Sequence, residues 1–260
     1  MSASVSWLVR AAVLLGSSSL VVVAGWGQTQ TAPATAPAGA QSKKVDPQIN
    51  ARLQKGDTKG FLKGLESKNR EVYVKRREIL DALELRPGMA VADIGAGSGL
   101  FTRLMADVVG SEGKVYAVEV SKAFLDRIAR EAKSKGQKQI VTILGTQDST
   151  NLSPNSIDAV FLCDVYHHLE KHEKILASIH QALRVHGVLV LVDFDRVEGQ
   201  SSKFVLKHIR AGQAVFRREI EQAGFEPVKD FKPPKLKEKF VAKFRKKDGH
   251  AWVKSRPATP

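Results

Sequence analysis

The sequence predicts an α/β protein whose mainly parallel sheet closes on an antiparallel hairpin. The first observation is a series of five short apolar runs, each with the length of a buried strand. The second is that helical stretches separate most of these runs, because strands joined through helices pair in parallel by right-handed crossovers. The third is a pair of strand-like pieces, residues 226–231 and 238–246, connected through Pro-Pro. These two pieces predict the hairpin.

The predicted elements follow one another in a regular order. The strands are MAVADI (89–94), KVYAVEV (114–120), QIVTILG (139–145), IDAVFLCD (157–164) and VLVLVDF (188–194). Helical stretches cover residues 100–110, 122–136, 169–187 and 216–225, the last ending at Gly224. Ahead of the first strand, residues 70–85 place five apolar side chains near one helical stripe: Val72, Ile79, Leu80, Leu83 and Leu85.

The first 27 residues predict a secretory signal peptide or a membrane anchor. Arg10 is their only charged residue, and an apolar run of 15 residues follows it. A bilayer span needs about 20 residues, so the run suits a signal that is cleaved after Ala24 or Gly27. The alternative is an uncleaved leader that associates with a membrane through residues 8–26. The chain is therefore predicted to be exported, to the periplasm or outside the cell, or to be anchored at a membrane.

The remainder of the chain divides into four predicted segments. Residues 28–44 are rich in Ala, Pro and Thr and predict a flexible linker. Residues 45–78 predict a helical lead-in, and residues 79–247 predict the folded domain. Residues 248–260 predict a basic, disordered tail.

The net charge of +14 is concentrated toward the C-terminal end, where residues 229–260 hold 11 Lys or Arg and three Asp or Glu. A basic tail can bind nucleic acid or anionic lipid, but it is more often a solvated face. The aromatic content is low and no stacking motif occurs, so the sequence shows no clear nucleic-acid motif. Cys163 is the single cysteine, which excludes an intramolecular disulfide and argues against a cysteine-only metal site.

The stretch VADIGAGSG, residues 91–99, predicts a cofactor site between the first strand and the next helix. Glycines let the backbone bend sharply, and ligands bind at the carboxyl ends of parallel strands. The G-x-G-x-G spacing after Asp93 differs from the dinucleotide fingerprint and from a phosphate-binding loop. The carboxylate of Asp93 would repel a pyrophosphate but suits an ammonium group. Glu119, at the end of the second strand, can accept both hydroxyls of an unphosphorylated ribose.

The run from Ile79 to about Lys246 resembles the class I S-adenosylmethionine-dependent methyltransferases, in particular the branch acting on small molecules and quinones. The resemblance rests on D-I-G-A-G-S-G at residues 93–99 and covers about two thirds of the chain. It implies a Rossmann-like, seven-stranded, mainly parallel sheet with an antiparallel last strand and helices on both faces. It also implies that the chain is a methyltransferase with S-adenosyl-L-methionine as its cofactor.

The resemblance also implies cofactor-binding roles at the ends of four strands. The methionine part would be lined by Asp93, Gly95, Ala96, Gly97 and Gly99. Glu119 would bind the ribose hydroxyls, and Val120 would pack on the adenine. Asp148 would accept from the adenine amino group, with its neighbour Gln147 as a competitor. Cys163 and Asp164 would pass beneath the sulfonium. The alternative for Asp93 and Glu119 is that each caps the turn or helix that follows.

Three residues after the fourth strand are candidates for catalysis: Tyr166, His167 and His168. A general base is needed only if the accepting atom must lose a proton, and histidine titrates near neutrality. The alternative is that both histidines cap the next helix or pack against the loop. Asp164 and the two histidines supply metal-ligand types, but no further constellation at metal spacing is evident. The sequence therefore predicts no metal site.

The acceptor is predicted to be a small molecule or a lipid-like molecule. Substrate identity is expected to depend on residues 45–78 and on residues 195–213, which contain His208 and Arg210 and suggest a mobile lid. Two other hypotheses stay open. One is a catalytically silent module that binds S-adenosylmethionine or S-adenosylhomocysteine. The other is a nucleic-acid-associated methyltransferase using the basic tail, against which the predicted export signal argues.

Overall fold

The computed structural model describes residues 42–45, 62 and 64–247. The predicted leader (1–27), most of the predicted linker (28–44), part of the lead-in (45–78) and the basic tail (248–260) lie outside the described residues. Their predicted roles stay predictions. Among the described residues, no helix has both the length and the apolar character needed to cross a bilayer.

Seven strands form one sheet in the order β3-β2-β1-β4-β5-β7-β6. They are β1 Ala90–Ile94, β2 Lys114–Glu119, β3 Ile140–Leu144, β4 Ile157–Cys163, β5 Leu183–Phe194, β6 Phe225–Pro227 and β7 Lys239–Lys246. The first five strands pair in parallel, and β7 runs antiparallel to both β5 and β6. This topology confirms the predicted α/β fold class and its closing hairpin.

Helices surround the sheet. They are α1 Glu71–Val74, α2 Arg76–Asp81, α3 Leu100–Val109, α4 Lys122–Ser134, α5 His172–Ala182, α6 Lys203–His208 and α7 Gln213–Gln222, with a 3-10 turn at Tyr166–His168. The helix predicted over residues 70–85 is divided into α1 and α2, because Lys75 leaves the helical region with φ −90° and ψ 10°. The predicted stripe survives this break, since Ile79 and Leu80 are buried on α2.

The helix predicted over residues 169–187 is too long. It ends at Ala182, and β5 begins at Leu183, which pairs with Ile157 of β4 before the register shifts. His186 has a φ of 62°, a conformation that a right-handed helix does not contain. The apolar residues at this junction therefore belong to an irregular strand start.

The central strands are buried on both faces, which explains why their sequences read as continuous apolar runs. On one face, α5 and α7 cover Leu162 and Leu191 with side chains such as Phe216. On the other face, α2 and α3 cover Val91 and Phe161. The sheet is thus a rigid platform whose strand ends hold the loops that form the site.

Candidate functional site

The site lies where the strand order reverses. Strands β1 and β4 are neighbours at the centre of the sheet, with β2 and β3 beyond β1 and β5 beyond β4. In open α/β sheets such a reversal opens a crevice at the carboxyl ends of the strands. The glycine loop follows β1 and the 3-10 turn follows β4, so both border this crevice.

The glycine loop adopts a backbone that favours glycine at each of its three glycine positions. Gly95, Gly97 and Gly99 have φ values of 71°, 51° and 77°, in the region that L side chains rarely occupy. A Cβ atom on Gly95 would also collide with the side chain of Val165 at the end of β4. The loop therefore presents bare peptide groups to the crevice, as a close-lying ligand requires.

Asp93 is buried beneath this loop, with 3% of its surface exposed. Its carboxylate accepts a hydrogen bond from the Thr102 hydroxyl at 2.6 Å. Burial raises the pKa of Asp93 to about 6, and the Glu119 carboxylate adds to the effect while the Thr102 bond opposes it. The positive charge of a cationic ligand in the crevice would offset both effects by stabilising the charged carboxylate, so Asp93 fits a ligand with an ammonium group.

Glu119 turns its carboxylate toward the same loop. Oε2 accepts from the Gly97 N–H at 3.1 Å, and Oε1 accepts from the N–H groups of Val120 at 2.7 Å and Ser121 at 3.2 Å. Burial raises its pKa, against the effect of these backbone donors. The side chain of Val120 beside it is 37% exposed, which leaves an apolar surface on which a ring could pack. Glu119 thus joins the glycine loop to the end of β2.

Ala96 and Cys163 contribute little polar character. Ala96 is 8% exposed, and its N–H donates to the Val118 carbonyl at 3.2 Å. Cys163 ends β4, and burial raises the pKa of its thiol well above the ordinary value. Both residues therefore serve as neutral lining at the base of the crevice.

Asp148 lies in the loop after β3 and is held by neighbouring side chains. The Thr146 hydroxyl donates to Oδ1 at 2.9 Å, and the ammonium groups of Lys171 and Lys174 lie 3.5 Å from Oδ2. The Thr146 bond and these lysines lower its pKa. Its neighbour Gln147 is half-buried. The predicted adenine contact of either residue stays a prediction.

Asp164 is fixed between two cations. Its φ is 55°, and its carboxylate pairs with Arg70 at 2.5 Å and with Lys239 of β7 at 2.8 Å. The lead-in and the hairpin thus converge on the residue that follows β4. These ion pairs occupy both carboxylate oxygens, so Asp164 acts as an anchor here and not as a metal ligand.

The end of the lead-in lies over the glycine loop. Leu65 is close enough that a Cβ atom on Gly97 would lie 3.3 Å from its Cδ1 atom. Glu66 pairs with Arg103 of α3 at 2.7 Å, and the Arg70 side chain donates to the Leu65 carbonyl at 2.6 Å. This segment was predicted to influence acceptor choice, but its contact with the glycine loop was not predicted.

His167 is the predicted catalytic residue with a buried carboxylate partner. Its Nδ1 atom lies 2.7 Å from Oδ1 of Asp193, and its backbone N–H donates to Oδ2 at 3.2 Å. Burial acts to raise the pKa of Asp193, but the contacts with His167 outweigh it and the pKa is lowered. Burial lowers the pKa of His168 to about 3, and His167 and His208 contribute to this shift. His168 is therefore a neutral imidazole at physiological pH.

Tyr166 faces away from these histidines, into the core. It is fully buried, and its hydroxyl donates to Oε2 of Glu219 at 3.0 Å. Arg210 donates two hydrogen bonds to the same carboxylate, at 2.8 and 2.6 Å. Burial and Glu219 raise the pKa of Tyr166 well above the ordinary value. The geometry is that of a packing residue, which opposes the predicted catalytic role.

The segment expected to form a mobile lid is anchored at both ends of α6. Ser202 caps the helix by accepting from the Val205 N–H, and Arg210 is only 4% exposed. Between them, His208 brings its ring to 5.2 Å from His167 and 5.1 Å from His168, measured between ring centroids. The sequence did not place His208 beside these residues. Asp193, at the end of the fifth predicted strand, was also missed.

Comparisons with known proteins agree with this geometry. Residues 92–191 match the Methyltransferase domain family. The chain is 34% identical over 67 residues to a protein-L-isoaspartate O-methyltransferase of Ignicoccus hospitalis, covering 26% of this chain and 32% of that protein. It is 23% identical over 118 residues to a demethylmenaquinone methyltransferase of Geobacillus stearothermophilus, covering 45% and 50%. The chain therefore spans about a third to a half of these curated relatives.

A solved structure shows the same fold. The crystal structure of a SAM-dependent methyltransferase from Aquifex aeolicus superposes with a TM-score of 0.60 at 20% identity, covering 72% of this chain and 97% of that one. At this identity the likeness concerns the fold alone. This chain is therefore similar to methyltransferases, in sequence over residues 92–191 and in the fold of its seven-stranded sheet.

Proposed function

We propose that this chain transfers a methyl group from S-adenosylmethionine to a small-molecule or lipid-like acceptor. The observation that carries the proposal is a pair of carboxylates, the buried Asp93 and the half-buried Glu119, beside the glycine loop at the strand-order reversal. S-adenosylmethionine carries an ammonium group and a ribose diol and has no phosphate. These are the groups for which the two carboxylates and the loop are suited.

The residues around the crevice would divide the work of holding the donor. Asp93 would bind the ammonium group, and Glu119 would exchange its bonds to the loop for bonds to the ribose hydroxyls. The exposed apolar face of Val120 would pack on the adenine ring, near Gln147 and Asp148. When bound, the donor supplies an activated methyl group, so the protein's main tasks are alignment and exclusion of water.

The side of the crevice formed by the 3-10 turn would face the acceptor. Asp193 engages the Nδ1 atom of His167 and so orients the ring, as a general base needs. An acceptor that must lose a proton would bind on this side of the crevice, where His167 could take up the proton.

Calorimetric titration of the full chain with S-adenosylmethionine and S-adenosylhomocysteine tests the donor site. NAD⁺ is the matched control ligand, since it has the ribose diol but also a pyrophosphate that Asp93 and Glu119 would repel. We expect both sulfur ligands to bind at one per chain and NAD⁺ to give no heat of binding. If neither S-adenosylmethionine nor S-adenosylhomocysteine binds, the proposal is overturned. Binding without turnover on a panel of phenols, thiols and quinols would replace transfer by a silent binding module.

We also propose that the chain works outside the cytosol or at a membrane, which the sequence of residues 1–27 supports. N-terminal sequencing of the protein purified from its native cells tests this. A start after Ala24 or Gly27 would indicate export, and an intact leader in the membrane fraction would indicate an anchor. An intact leader in the soluble cytosolic fraction would contradict both.

A further inference from the structure

Three histidines from two separate segments meet beside the glycine loop. His167 and His168 lie in the 3-10 turn after β4, and His208 ends α6. One ring nitrogen from each histidine lies within 4.8 Å of the other two, and the ring centroids are 4.0 to 5.2 Å apart. We propose that His167, His168 and His208 bind one divalent transition-metal ion.

Asp193 provides the carboxylate to which a metal-binding histidine usually donates its second N–H. Its Oδ1 atom lies 2.7 Å from Nδ1 of His167, so Nε2 is the nitrogen that would bind the ion. Metal-binding histidines typically donate their second N–H to a carboxylate, which fixes the ring and strengthens the ligand. Asp193 is itself fixed, because it is fully buried and accepts from the N–H groups of His167 and Phe194.

The size of the cluster is close to that of a three-histidine metal site. Bonds of about 2.0–2.1 Å in a tetrahedral site put the ligand nitrogens about 3.3 Å apart, so the cluster would contract slightly on binding. His208 can make that movement because its ring lies half-buried at the end of a six-residue helix. An all-imidazole set favours Zn²⁺, Co²⁺, Ni²⁺ or Cu²⁺ over Mg²⁺ and Ca²⁺, which prefer oxygen ligands.

Three ligands leave a fourth position open for another molecule. Val165 directly precedes the turn that carries His167 and His168, and its side chain lies against Gly95 of the donor loop. If the proposed function holds, the open position is therefore available to the acceptor. The class of acceptor that suits it has a hydroxyl or thiol, since binding to a metal lowers the pKa of such groups.

The chemistry of this arrangement balances without a further reactant. The acceptor hydroxyl or thiol releases its proton to solvent as it binds the ion. Its oxygen or sulfur then forms a bond to the methyl carbon while the bond from that carbon to the sulfonium sulfur breaks. The electron pair of the broken bond stays on sulfur, which leaves as a neutral thioether. His167 would then act as a metal ligand and not as the general base.

A cobalt titration of the full chain tests the metal site directly. The protein is treated with a chelator, dialysed and titrated with Co²⁺, whose visible absorption reports tetrahedral coordination, and Zn²⁺ is then added as a competitor. The variants are His208→Ala, His208→Gln and Asp193→Asn. His186→Asn is the matched control, because His186 is exposed and lies at the start of β5, away from the carboxyl ends of the strands. Circular dichroism of each variant reports folding.

We expect one Co²⁺ per wild-type chain, displaced by Zn²⁺. Asp193→Asn should weaken binding by about 10- to 100-fold, as loss of an outer partner does, and both His208 variants should weaken it further. His186→Asn should bind as wild type does. Absent binding in the folded wild type, or binding that a folded His208 variant retains in full, would overturn the metal site.

The failure of this proposal is distinguishable from the failure of the donor site. Calorimetry with S-adenosylhomocysteine in the presence of a chelator measures the donor site alone. Donor binding without cobalt binding would overturn the metal site and leave the proposed function intact. Cobalt binding without donor binding would support the metal site and overturn the proposed function.

Discussion

The glycine loop and the histidine cluster lie at the ends of neighbouring strands, yet they are built in opposite ways. The loop is a continuous stretch in which Gly95, Gly97 and Gly99 share positive φ values and Asp93 precedes them. The cluster is assembled by the fold from residues distant in the chain. His208 lies on another segment than His167 and His168, and Asp193, the partner of His167, is 26 positions away from it.

The difference shows which parts of a site leave a trace in a single sequence. A backbone that must bend and stay bare requires glycine at fixed spacing, and this requirement is local. A cluster of side chains has no fixed spacing, because packing decides which loops meet. The glycine loop can therefore be recognised before the structure is known, whereas the histidine cluster needs the fold.

Gly95→Ala should produce the largest effect on the donor side. The Cβ atom would collide with Val165, and a positive φ costs a non-glycine residue about 1–2 kcal/mol, to which overpacking adds about 1–3 kcal/mol. Gly136→Ala is the control, since its φ is 67° but no atom lies within 4 Å of its Cβ position. Denaturant unfolding should show a greater loss of stability for Gly95→Ala, and calorimetry should show loss of donor binding for that variant alone. Equal effects of the two substitutions would contradict the close approach.

Asp93 should make stability depend on pH. Its folded pKa of about 6 lies above the ordinary 3.8, so the folded chain binds this proton more tightly than the unfolded chain does. This proton therefore adds to the free energy of unfolding, by about 3 kcal/mol at most. The contribution is fully present below a pH of about 4 and is lost as the pH rises through 6. Unfolding free energies of wild type and Asp93→Asn, compared across this range, check the sign. A difference between the two unfolding free energies that does not vary with pH would refute the raised pKa of Asp93. Bound S-adenosylmethionine should make the pKa shift of Asp93 smaller.

Glu119→Gln should weaken donor binding by about 10- to 100-fold, because hydrogen bonds to a charged group contribute about 1.5–3 kcal/mol. The amide keeps an acceptor for the Gly97 N–H, so the loop should stay in place. Glu112→Gln is the control, as Glu112 is an exposed residue ahead of β2. Calorimetry with S-adenosylhomocysteine measures the ratio. An unchanged affinity in Glu119→Gln would remove Glu119 from the donor site.

Arg70→Gln should have the smallest effect. The Arg70–Asp164 pair is partly exposed, with 29% and 10% of the side chains accessible, and such pairs contribute about 1 kcal/mol or less. We expect a decrease of this size in unfolding free energy and a few-fold loss of donor affinity, because the lead-in would cover the glycine loop less firmly. Lys75→Gln, which breaks the surface pair with Glu78, is the control. A greater loss for Lys75→Gln would contradict the role given to the lead-in.

Much of the fold could be predicted because its signals are local and repeated. The five parallel strands read as apolar runs, and the hairpin followed from two pieces with no helix between them. The boundary at Leu183 could not be predicted, because the strand there depends on the pairing of Leu183 with Ile157 of β4, which the local sequence does not specify. The three-residue length of β6 depends on its pairing with β7, which the sequence of residues 225–227 does not specify.

The side of the crevice that holds the histidine cluster was predicted only in part. His167 and His168 stand out as a pair after a strand, but Tyr166 beside them packs into the core against Phe216. Asp193 could have been found, because it ends the fifth predicted strand, next to the fourth at the same edge of the sheet. His208 could not, since its position depends on how α6 folds back across that edge.

A crystal structure of the full chain grown with S-adenosylhomocysteine and Zn²⁺ would test the division into a donor side and an acceptor side most directly. We predict that the ammonium group lies at Asp93, that the ribose lies at Glu119 and that the sulfur faces the 3-10 turn. An anomalous zinc signal should lie among His167, His168 and His208. Ligand density away from the glycine loop, with its sulfur turned from the histidines, would contradict the division.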